Sequence, residues 1–305
     1  MVQETLNTSD TSDTVTLNDP RSVYASPEFN EQEQALPGSD EELSPKADHG
    51  EKSYKGFGRL KGLNALVTGG DSGIGRAIAL AYAREGANVA ITYLNEHEDA
   101  QVTKKLIEDA GVKALAFSAD QRESKNCKEA VDKVVSEFGS LNILVNNAAW
   151  QKTYDKITDI PDDELRRTFQ TNIEGFFYYC REAIKVMNPG DSIINTSSIQ
   201  GYGPSAMLSP YAATKGAISN FTKSFSKEAI EHGVRVNAVA PGPVWTPLIP
   251  ATMPKEEIPD FGSSTLFKRP AQPVELAPIY VFLASNEASY VTGEIYGVTG
   301  GMKQI

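Results

Sequence analysis

The sequence predicts an α/β protein with a single domain, built on a doubly wound parallel sheet and preceded by an extended N-terminal arm. Two observations lead to this prediction. From residue 61 onward, short apolar runs alternate with segments of helical periodicity, and the first run is followed by a glycine-rich turn that opens a helix. Strands that alternate with helices form a parallel sheet covered on both faces, with right-handed crossovers. The expected architecture is therefore of the Rossmann type.

The elements follow one another in a regular order along the chain. In the segment 123–138, for example, Cys127, Val131 and Val134 fall on one face at helical spacing. We see no internal repeat and expect no second domain. The pattern predicts strands at 65–67, 89–91, 114–117, 141–145, 192–195, 234–239 and near 295–298, and helices at 73–85, 96–110, 123–138, 161–187, 209–231 and near 273–285.

Residues 1–55 form a lead whose composition differs from that of residues 56–305, the expected catalytic domain. The lead is rich in Ser, Thr, Asp, Glu, Gln and Pro, and such a composition cannot build a core of its own. Isolated aromatic residues at Tyr24, Phe29 and Tyr54 could still dock on a folded surface. The sequence leaves two alternatives open: a disordered lead, or an arm that packs on its own domain or on a neighbouring subunit.

The bulk properties exclude several classes of function. Residues 1–50 carry eleven acids against two basic residues, so most of the net charge of −11 lies there and no basic nucleic-acid-binding surface is expected. The two cysteines lie far apart in apolar helical patterns and the three histidines are scattered, which indicates no disulfide and no metal site. Neither a signal pattern nor an apolar run of ~18 residues occurs, which predicts a cytoplasmic protein without a membrane partner.

A glycine-rich turn, Thr68-Gly-Gly-Asp-Ser-Gly-Ile-Gly75, follows the first strand and opens the first helix. Gly69, Gly73 and Gly75 allow the backbone to turn tightly and to approach a pyrophosphate, whose charge is stabilised at the helix N-terminus. The alternative is a turn that needs glycine only for its backbone angles. The strand–turn–helix context favours a dinucleotide site, and the expected cofactor is NAD or NADP.

The residues after the second strand do not identify which dinucleotide is bound. An acid for the NAD ribose or an arginine for the NADP phosphate is expected about 20 residues after the turn, where this chain has residues 93–95, Tyr-Leu-Asn. Asp71 in the turn and Glu96, Glu98 and Asp99 beyond the strand would repel a 2′-phosphate. These acids give a slight preference for NAD.

Tyr211 and Lys215 are four residues apart, and Ser198 precedes them. On a helix this spacing places both side chains on one face, so the ammonium can lower the pKa of the phenol from its reference value of about 10. Such a phenol, with a serine that hydrogen-bonds the same oxygen, can move a proton onto or off a carbonyl or alcohol oxygen. An ordinary helix pair and a strand-end hydroxyl are the alternatives. Together with the dinucleotide site, the set predicts an oxidoreductase.

These residues occur together with further motifs in a fixed order. From about residue 60 to its C-terminus, the chain resembles the short-chain dehydrogenase/reductase family, and within it the bacterial general-stress oxidoreductases and the plant glucose/ribitol dehydrogenase homologues. Ala149 departs from the family pattern, which usually has glycine there. The resemblance rests on the turn at 68–75, Asn146-Asn-Ala-Ala149, Asn172, Ser198, Tyr211-x-x-x-Lys215 and Pro241-Gly-Pro-Val-Trp-Thr246.

The resemblance implies a role for each matching residue. Tyr211 is the general acid–base, Lys215 lowers its pKa and holds the nicotinamide ribose, and Ser198 polarises the substrate oxygen. Asn172 anchors a water that connects Lys215 to solvent. The implied cofactor contacts are Thr68, Gly69, Asp71, Ser72, Gly73, Ile74, Gly75, Tyr93, Asp120 at the adenine edge, Asn146, Ala148, Tyr211, Lys215, Pro241, Gly242, and Val244 and Thr246 at the carboxamide.

The segment 247–270 contains five prolines and little periodicity. A long irregular stretch in a compact domain is usually functional, so we expect it to be a substrate lid. Trp150, Gln200, Tyr202 and Trp245 are expected around the pocket mouth, with packing roles for the two tryptophans as the alternative. These groups suit a small aldehyde, ketone, alcohol or polyol equally well, so the substrate is left open.

Two expectations concern assembly and a competing function. The resemblance implies a homotetramer that forms in part through the last helix and the strand 294–298. The competing function is a dinucleotide-binding stress or interaction protein with little turnover. The complete set of Ser198, Tyr211 and Lys215 argues against that alternative, while the acidic lead keeps it open. An epimerase or dehydratase is disfavoured because those relatives carry a larger C-terminal substrate region.

Overall fold

The structure is a computed structural model that describes residues 17–24 and 29–302; parts of the expected arm, 1–16 and 25–28, lie outside the described residues, as do residues 303–305. Within the described residues, seven strands alternate with eight α-helices. The strands are β1 Asn64–Thr68, β2 Asn88–Tyr93, β3 Ala114–Ser118, β4 Ile143–Asn146, β5 Ser192–Thr196, β6 Arg235–Pro241 and β7 Ile295–Val298. The helices are α1 Gly73–Arg84, α2 His97–Asp109, α3 Ser124–Phe138, α4 Asp162–Phe169, α5 Gly175–Ala183, α6 Ser209–Ala229, α7 Leu248–Thr252 and α8 Ala277–Ala284.

The seven strands form one parallel sheet in the order β3-β2-β1-β4-β5-β6-β7, which confirms the predicted doubly wound fold. From β1 the chain winds outward to β3, returns to β4 beside β1, and then winds the other way. Because the direction of winding reverses there, a crevice opens at the carboxyl ends of β1 and β4. A ligand site is expected at that edge of the sheet.

Successive strand residues point to opposite faces and build two hydrophobic layers. Ala65 and Val67 pack with α1 and α8 on one face, whereas Leu66 packs with α3 and α5 on the other. This alternation fixes the register, since a shift of one residue would exchange the two layers. Parallel strands buried on both faces read as continuous apolar runs, which is why the sequence pattern located them.

Two helical segments differ from the prediction. The single helix expected over 161–187 is divided into three parts: α4, then a π-helical turn at Gln170–Glu174, then α5. The segment 247–270 contains α7 and a short 3-10 turn at Lys255–Glu257, so it is not irregular throughout. In the described part of the chain, no helix has both the length and the apolar character that crossing a membrane requires.

Residues 29–54 lie on the domain rather than away from it. Phe29 and Leu43 are buried against Trp245, with ring centroids 4.0 Å apart for the two aromatic residues. At the end of this stretch the Tyr54 hydroxyl donates to the buried carboxylate of Glu85 at 2.7 Å. Of the two alternatives for the lead, the described part therefore fits an arm packed on its own domain.

Candidate active site

A cavity of about 320 Å³ opens at the carboxyl ends of the strands, where β1 and β4 meet. Seventeen of the residues expected at the site line it, and they come from every segment that the sequence motifs mark except Asn172. These residues are Gly69, Asp71, Ser72, Gly73, Ile74, Tyr93, Asp120, Ala148, Ser198, Tyr211, Lys215, Pro241, Gly242, Val244 and Thr246, together with Trp150 and Gln200 of the expected pocket mouth. The fold thus brings the glycine turn and the proton-moving set into one cavity.

The glycine turn is shaped so that only glycines fit at its critical positions. Gly69 has a φ of +60°, and a Cβ there would lie 2.9 Å from the Ala148 Cα. A Cβ on Gly75 would lie 1.8 Å from the Gly69 carbonyl oxygen. The turn therefore brings bare backbone to the cavity wall at the N-terminus of α1, which is the cradle that a pyrophosphate requires.

Arg76 fixes the conformation of the turn from behind. Its guanidinium donates to the Asp71 carbonyl oxygen from Nη2 at 2.7 Å and from Nε at 3.0 Å. The Thr103 hydroxyl donates to the same oxygen at 2.8 Å. A carbonyl held by three donors cannot rotate freely, so the backbone of the turn at Asp71 is held in one orientation.

Two carboxyl groups lie at the cavity end beside β2. Burial, with the nearby charge of Glu96 acting in the same direction, raises the pKa of Asp71 to about 7. Burial also raises the pKa of Glu96, whose Oε1 is buried without a hydrogen-bond partner and whose side chain lines the cavity. A buried acceptor with no protein donor is suited to the hydroxyl of a bound ribose.

The proton-moving set is buried at the other end of the cavity. Tyr211 and Lys215 project from one face of α6, with the ammonium nitrogen 5.3 Å from the centre of the phenol ring. Lys215 is 1% exposed and donates to the Thr196 carbonyl oxygen at 2.8 Å. Ser198 follows β5, and its hydroxyl accepts from the Gln200 backbone N–H at 3.1 Å. All three residues line the same cavity.

In the protein alone, burial dominates the pKa of Tyr211. Burial raises the pKa of Tyr211 to about 12, which a hydrogen bond with Ser198 only partly opposes. Burial also lowers the pKa of Lys215 to about 7, so near neutrality the lysine carries only part of a positive charge. The sequence could not give this result because desolvation of both groups depends on the tertiary packing.

Asn172 acts on the backbone near the site. It lies in the π-helical turn between α4 and α5, a feature that is frequent at functional sites. Its Oδ1 accepts from the Trp150 N–H at 2.7 Å, and its Nδ2 donates to the Trp150 carbonyl at 2.9 Å and to the Thr214 hydroxyl at 3.0 Å. Its side chain thus clamps the start of the loop after β4.

Several predicted contacts lie outside the cavity. Trp245 is fully buried against the arm, and the Tyr202 hydroxyl points to Ser219, so the placement of both at the pocket mouth is wrong. Asn146 is fully buried and donates to Asn195 at 2.9 Å instead of facing a cofactor. Thr68 and Gly75 are structural, since the Thr68 hydroxyl accepts the backbone N–H groups of residues 147 and 148 and Gly75 packs on the turn.

The cavity wall includes residues that the sequence did not identify. Asn147 takes the place expected for Asn146, and its Nδ2 donates to the Thr68 and Gly69 carbonyls at 3.1 Å. Arg167 stacks on Trp150 with the guanidinium carbon 3.4 Å from the ring centre. Pro37 comes from the arm. Adjacent residues at a strand end point in opposite directions, and that alternation would have favoured Asn147.

Two observations concern metal binding and the two cysteines. No group of three or more His, Cys, Asp or Glu residues within 17–24 and 29–302 is arranged to hold a metal ion. Cys127 and Cys180 are buried free thiols, and burial raises the pKa of Cys180 to about 12. Neither cysteine takes part in the cavity lining.

Known proteins resemble this chain over most of its length. A family model described as enoyl-(acyl carrier protein) reductase matches residues 69–303. General stress protein 39 of Bacillus subtilis is 51% identical over 265 residues, 87% of this chain and 93% of that protein. Glucose and ribitol dehydrogenase of Daucus carota is 46% identical over 277 residues, 89% of this chain and 95% of that protein. A crystal structure of a Burkholderia cenocepacia short-chain dehydrogenase in complex with NADP is 33% identical and superposes with a TM-score of 0.75 over 80% of this chain and 98% of that one. The chain therefore belongs to the short-chain dehydrogenase/reductase family, an oxidoreductase family.

Proposed function

We propose that the protein is an NAD(P)-dependent carbonyl reductase or alcohol dehydrogenase in which Tyr211 is the acid–base catalyst. The observation that carries the proposal is that Tyr211, Lys215 and Ser198 line the same cavity as the glycine turn. A dinucleotide lying across that cavity, with its pyrophosphate at Gly69–Ile74, would supply or accept a hydride at the Tyr211 end. The close-packed glycines and the N-terminus of α1 at the cavity wall fit such a ligand.

The protonation state of the site supports reduction of a carbonyl near neutral pH. Because burial raises the pKa of Tyr211 to about 12, its hydroxyl holds a proton that it can donate to a substrate oxygen. The Ser198 hydroxyl beside it can hydrogen-bond that oxygen as negative charge develops. Lys215, with its pKa lowered to about 7 by burial, can both give and take a proton, and we assign to it the return of a proton to the phenol.

For the cofactor, the two carboxyl groups beside β2 favour NAD over NADP. Asp71 and Glu96 would accept hydrogen bonds from ribose hydroxyls, and their charge would repel a 2′-phosphate. The nearby guanidinium of Arg76 is already bonded to Asp40 and Asp99, at 3.0 Å in each case. The alternative cofactor is NADP, which is bound in the structure of the Burkholderia cenocepacia relative. Measured dissociation constants for NADH and NADPH decide between the two.

The substrate we propose is a small aldehyde, ketone or polyol. Side chains of Ile199, Leu208, Met253 and Phe261 give the cavity apolar walls near Ser198, and Trp150 and Gln200 add an aromatic and an amide group. A pocket with a few polar groups among apolar walls binds a small, mostly uncharged molecule. The activity in the name of the Daucus relative, on glucose and ribitol, lies within this class.

A spectrophotometric screen tests the proposal. Small aldehydes, ketones and sugars are offered with NADH and with NADPH, and oxidation of the cofactor is followed. Turnover of at least one carbonyl, with saturation by a dinucleotide, is expected. Dinucleotide binding without turnover of any compound would instead support the competing function, a dinucleotide-binding stress or interaction protein.

We also propose that the protein assembles into a homotetramer. Phe177 and Phe169 are 48% and 38% exposed on α5 and α4, and Phe177 packs in a tilted arrangement against Phe221 of α6 with centroids 4.0 Å apart. Exposed aromatic side chains of this kind are typical of a subunit interface. Light scattering coupled to size exclusion measures the mass, and a monomer would contradict the proposal.

A further inference from the structure

The arm residues 29–54 contact two parts of the domain that border the cavity. One is the turn at the start of α1, which they reach through charged side chains, and the other is the segment 243–262, which they reach through apolar ones. Between these contacts, Pro37 of the arm lines the cavity itself. The arm therefore contacts both parts and adds one residue to the cavity lining.

The contact with the turn is a buried ionic cluster. Oδ2 of Asp40 accepts the Gly73 backbone N–H at 3.1 Å and lies 3.0 Å from Arg76 Nη1 and 3.2 Å from His49 Nε2. On its other side, Arg76 pairs with Asp99 at 3.0 Å. All four side chains are less than a tenth exposed. The arm thus supplies two of the four titratable groups that surround the first turn of α1.

This cluster acts on the part of the backbone that borders the cavity. Gly73 has a φ of +49°, and Ser72, Gly73 and Ile74 line the cavity. Asp40 holds the Gly73 N–H, while Arg76, which Asp40 neutralises, holds the Asp71 carbonyl at 2.7 Å. Both bonds fix peptide orientations in the glycine turn. The groups needed to shape the turn are therefore complete only with the arm in place.

The contact with segment 243–262 is apolar and equally close. The Trp245 indole is fully buried between Phe29, Leu43 and residues of the segment, and its Nε1 donates to the Pro45 carbonyl at 2.8 Å. The Gln34 N–H donates to the Pro250 carbonyl at 3.0 Å. The same segment places Met253 and Phe261 on the cavity wall. Movement of the arm would therefore move this wall.

We infer that the arm is a cis-acting part of the dinucleotide site and that Asp40 is a positioning residue for it, because Asp40 holds the glycine turn in its binding conformation. This inference rests on the proposed dinucleotide binding. Asp40 points at the backbone of the turn and at Arg76 rather than into the cavity, so it acts through the turn. Its loss is expected to raise the dissociation constant of the dinucleotide by a larger factor than it lowers kcat of the saturated enzyme.

Dinucleotide titration of matched variants tests the inference. The variants are Asp40→Asn, which keeps the shape but removes the charge, and Glu42→Gln, which removes the same charge from an exposed arm position. The dissociation constant of NADH, followed by its fluorescence, is expected to rise about tenfold in Asp40→Asn, which corresponds to about 1.4 kcal/mol. Glu42→Gln should bind as the wild type does. Hydrogen exchange of residues 71–76 should be faster in Asp40→Asn without any ligand.

The outcomes are distinguishable. If the wild type binds neither NADH nor NADPH, the proposed function fails and the inference with it. If the wild type binds and Asp40→Asn binds equally well, only the inference is overturned, even when its melting temperature falls. If Asp40→Asn does not fold, His49→Gln decides, because it removes one partner of Asp40 and should raise the dissociation constant. An unchanged constant in His49→Gln would overturn the inference.

Discussion

The buried carboxyl group of Asp71 makes the stability of the protein depend on pH in a defined direction. Asp71 is 6% exposed, and burial together with Glu96 raises its pKa from 3.8 to about 7. A carboxyl group whose pKa is higher in the folded than in the unfolded protein binds its proton more tightly when folded. The favourable contribution of Asp71 to the free energy of unfolding is therefore complete below pH 3.8 and is lost as the pH rises through 7.

The size of the effect follows from the two pKa values. Each unit of pKa difference corresponds to about 1.4 kcal/mol, so between pH 5 and pH 8 the wild type should lose on the order of 2 to 3 kcal/mol of unfolding free energy at this site. Asp71→Asn has a similar shape and no proton to release, so it should lose none of it. The stability of Asp71→Asn relative to the wild type should therefore increase by that amount over this range.

Urea unfolding at pH 5, 6, 7 and 8 measures the difference at each pH, and other titrating groups largely cancel within each pair. Asp120→Asn is the matched control, because hydrogen bonds from Arg122 lower the pKa of Asp120. That contribution is present above pH 3.8 and is lost only on acidification, so this control should give a difference that does not change from pH 5 to 8. A flat difference for Asp71→Asn as well would refute the reasoning about Asp71.

Two further substitutions test the site and the arm. Ser198→Ala should reduce kcat about 100-fold through loss of the hydroxyl beside the substrate oxygen, with the KM for dinucleotide unchanged in initial-rate assays; an equal loss of dinucleotide affinity would argue against this role. Glu85→Gln should lower the unfolding free energy by about 2 kcal/mol at pH 7. Burial opposes ionisation of Glu85, but hydrogen bonds from Arg59 and Tyr54 outweigh burial and lower its pKa to about 2. A lowered pKa contributes its full stabilisation above the unfolded value of 4.5, and this contribution is lost as the pH falls toward 2. If urea unfolding showed the same difference between wild type and Glu85→Gln at pH 2 as at pH 7, that result would contradict the prediction.

The fold and the cavity could be predicted because both follow from local patterns. Buried parallel strands read as apolar runs, and a glycine turn between a strand and a helix has one common use. The motif residues Gly69, Ser198, Tyr211 and Lys215 and the turn residues 71–74 all line the cavity. Their placement needs only the ends of the strands to meet at one edge of the sheet.

The errors arise where distant parts of the chain meet. Trp245 is buried because the arm, about 200 residues earlier, covers it, and nothing in its own segment indicates that contact. The pKa values of Tyr211 and Lys215 depend on burial, which spacing on a helix does not reveal. Asn146 and Asn147 differ only in the direction in which each side chain leaves the strand end, so an error of one residue exchanged their roles.

The central claim is that the Tyr211 hydroxyl transfers the proton, and Tyr211→Phe tests it most directly. The matched control is Tyr202→Phe, which removes the same atom from a residue outside the cavity whose hydroxyl lies 3.4 Å from Ser219 Oγ. With a carbonyl substrate found by the screen, kcat should fall about 1,000-fold in Tyr211→Phe and stay near that of the wild type in Tyr202→Phe. The dissociation constant of the dinucleotide should change little in either variant. Turnover by Tyr211→Phe at a rate close to that of Tyr202→Phe would contradict the account.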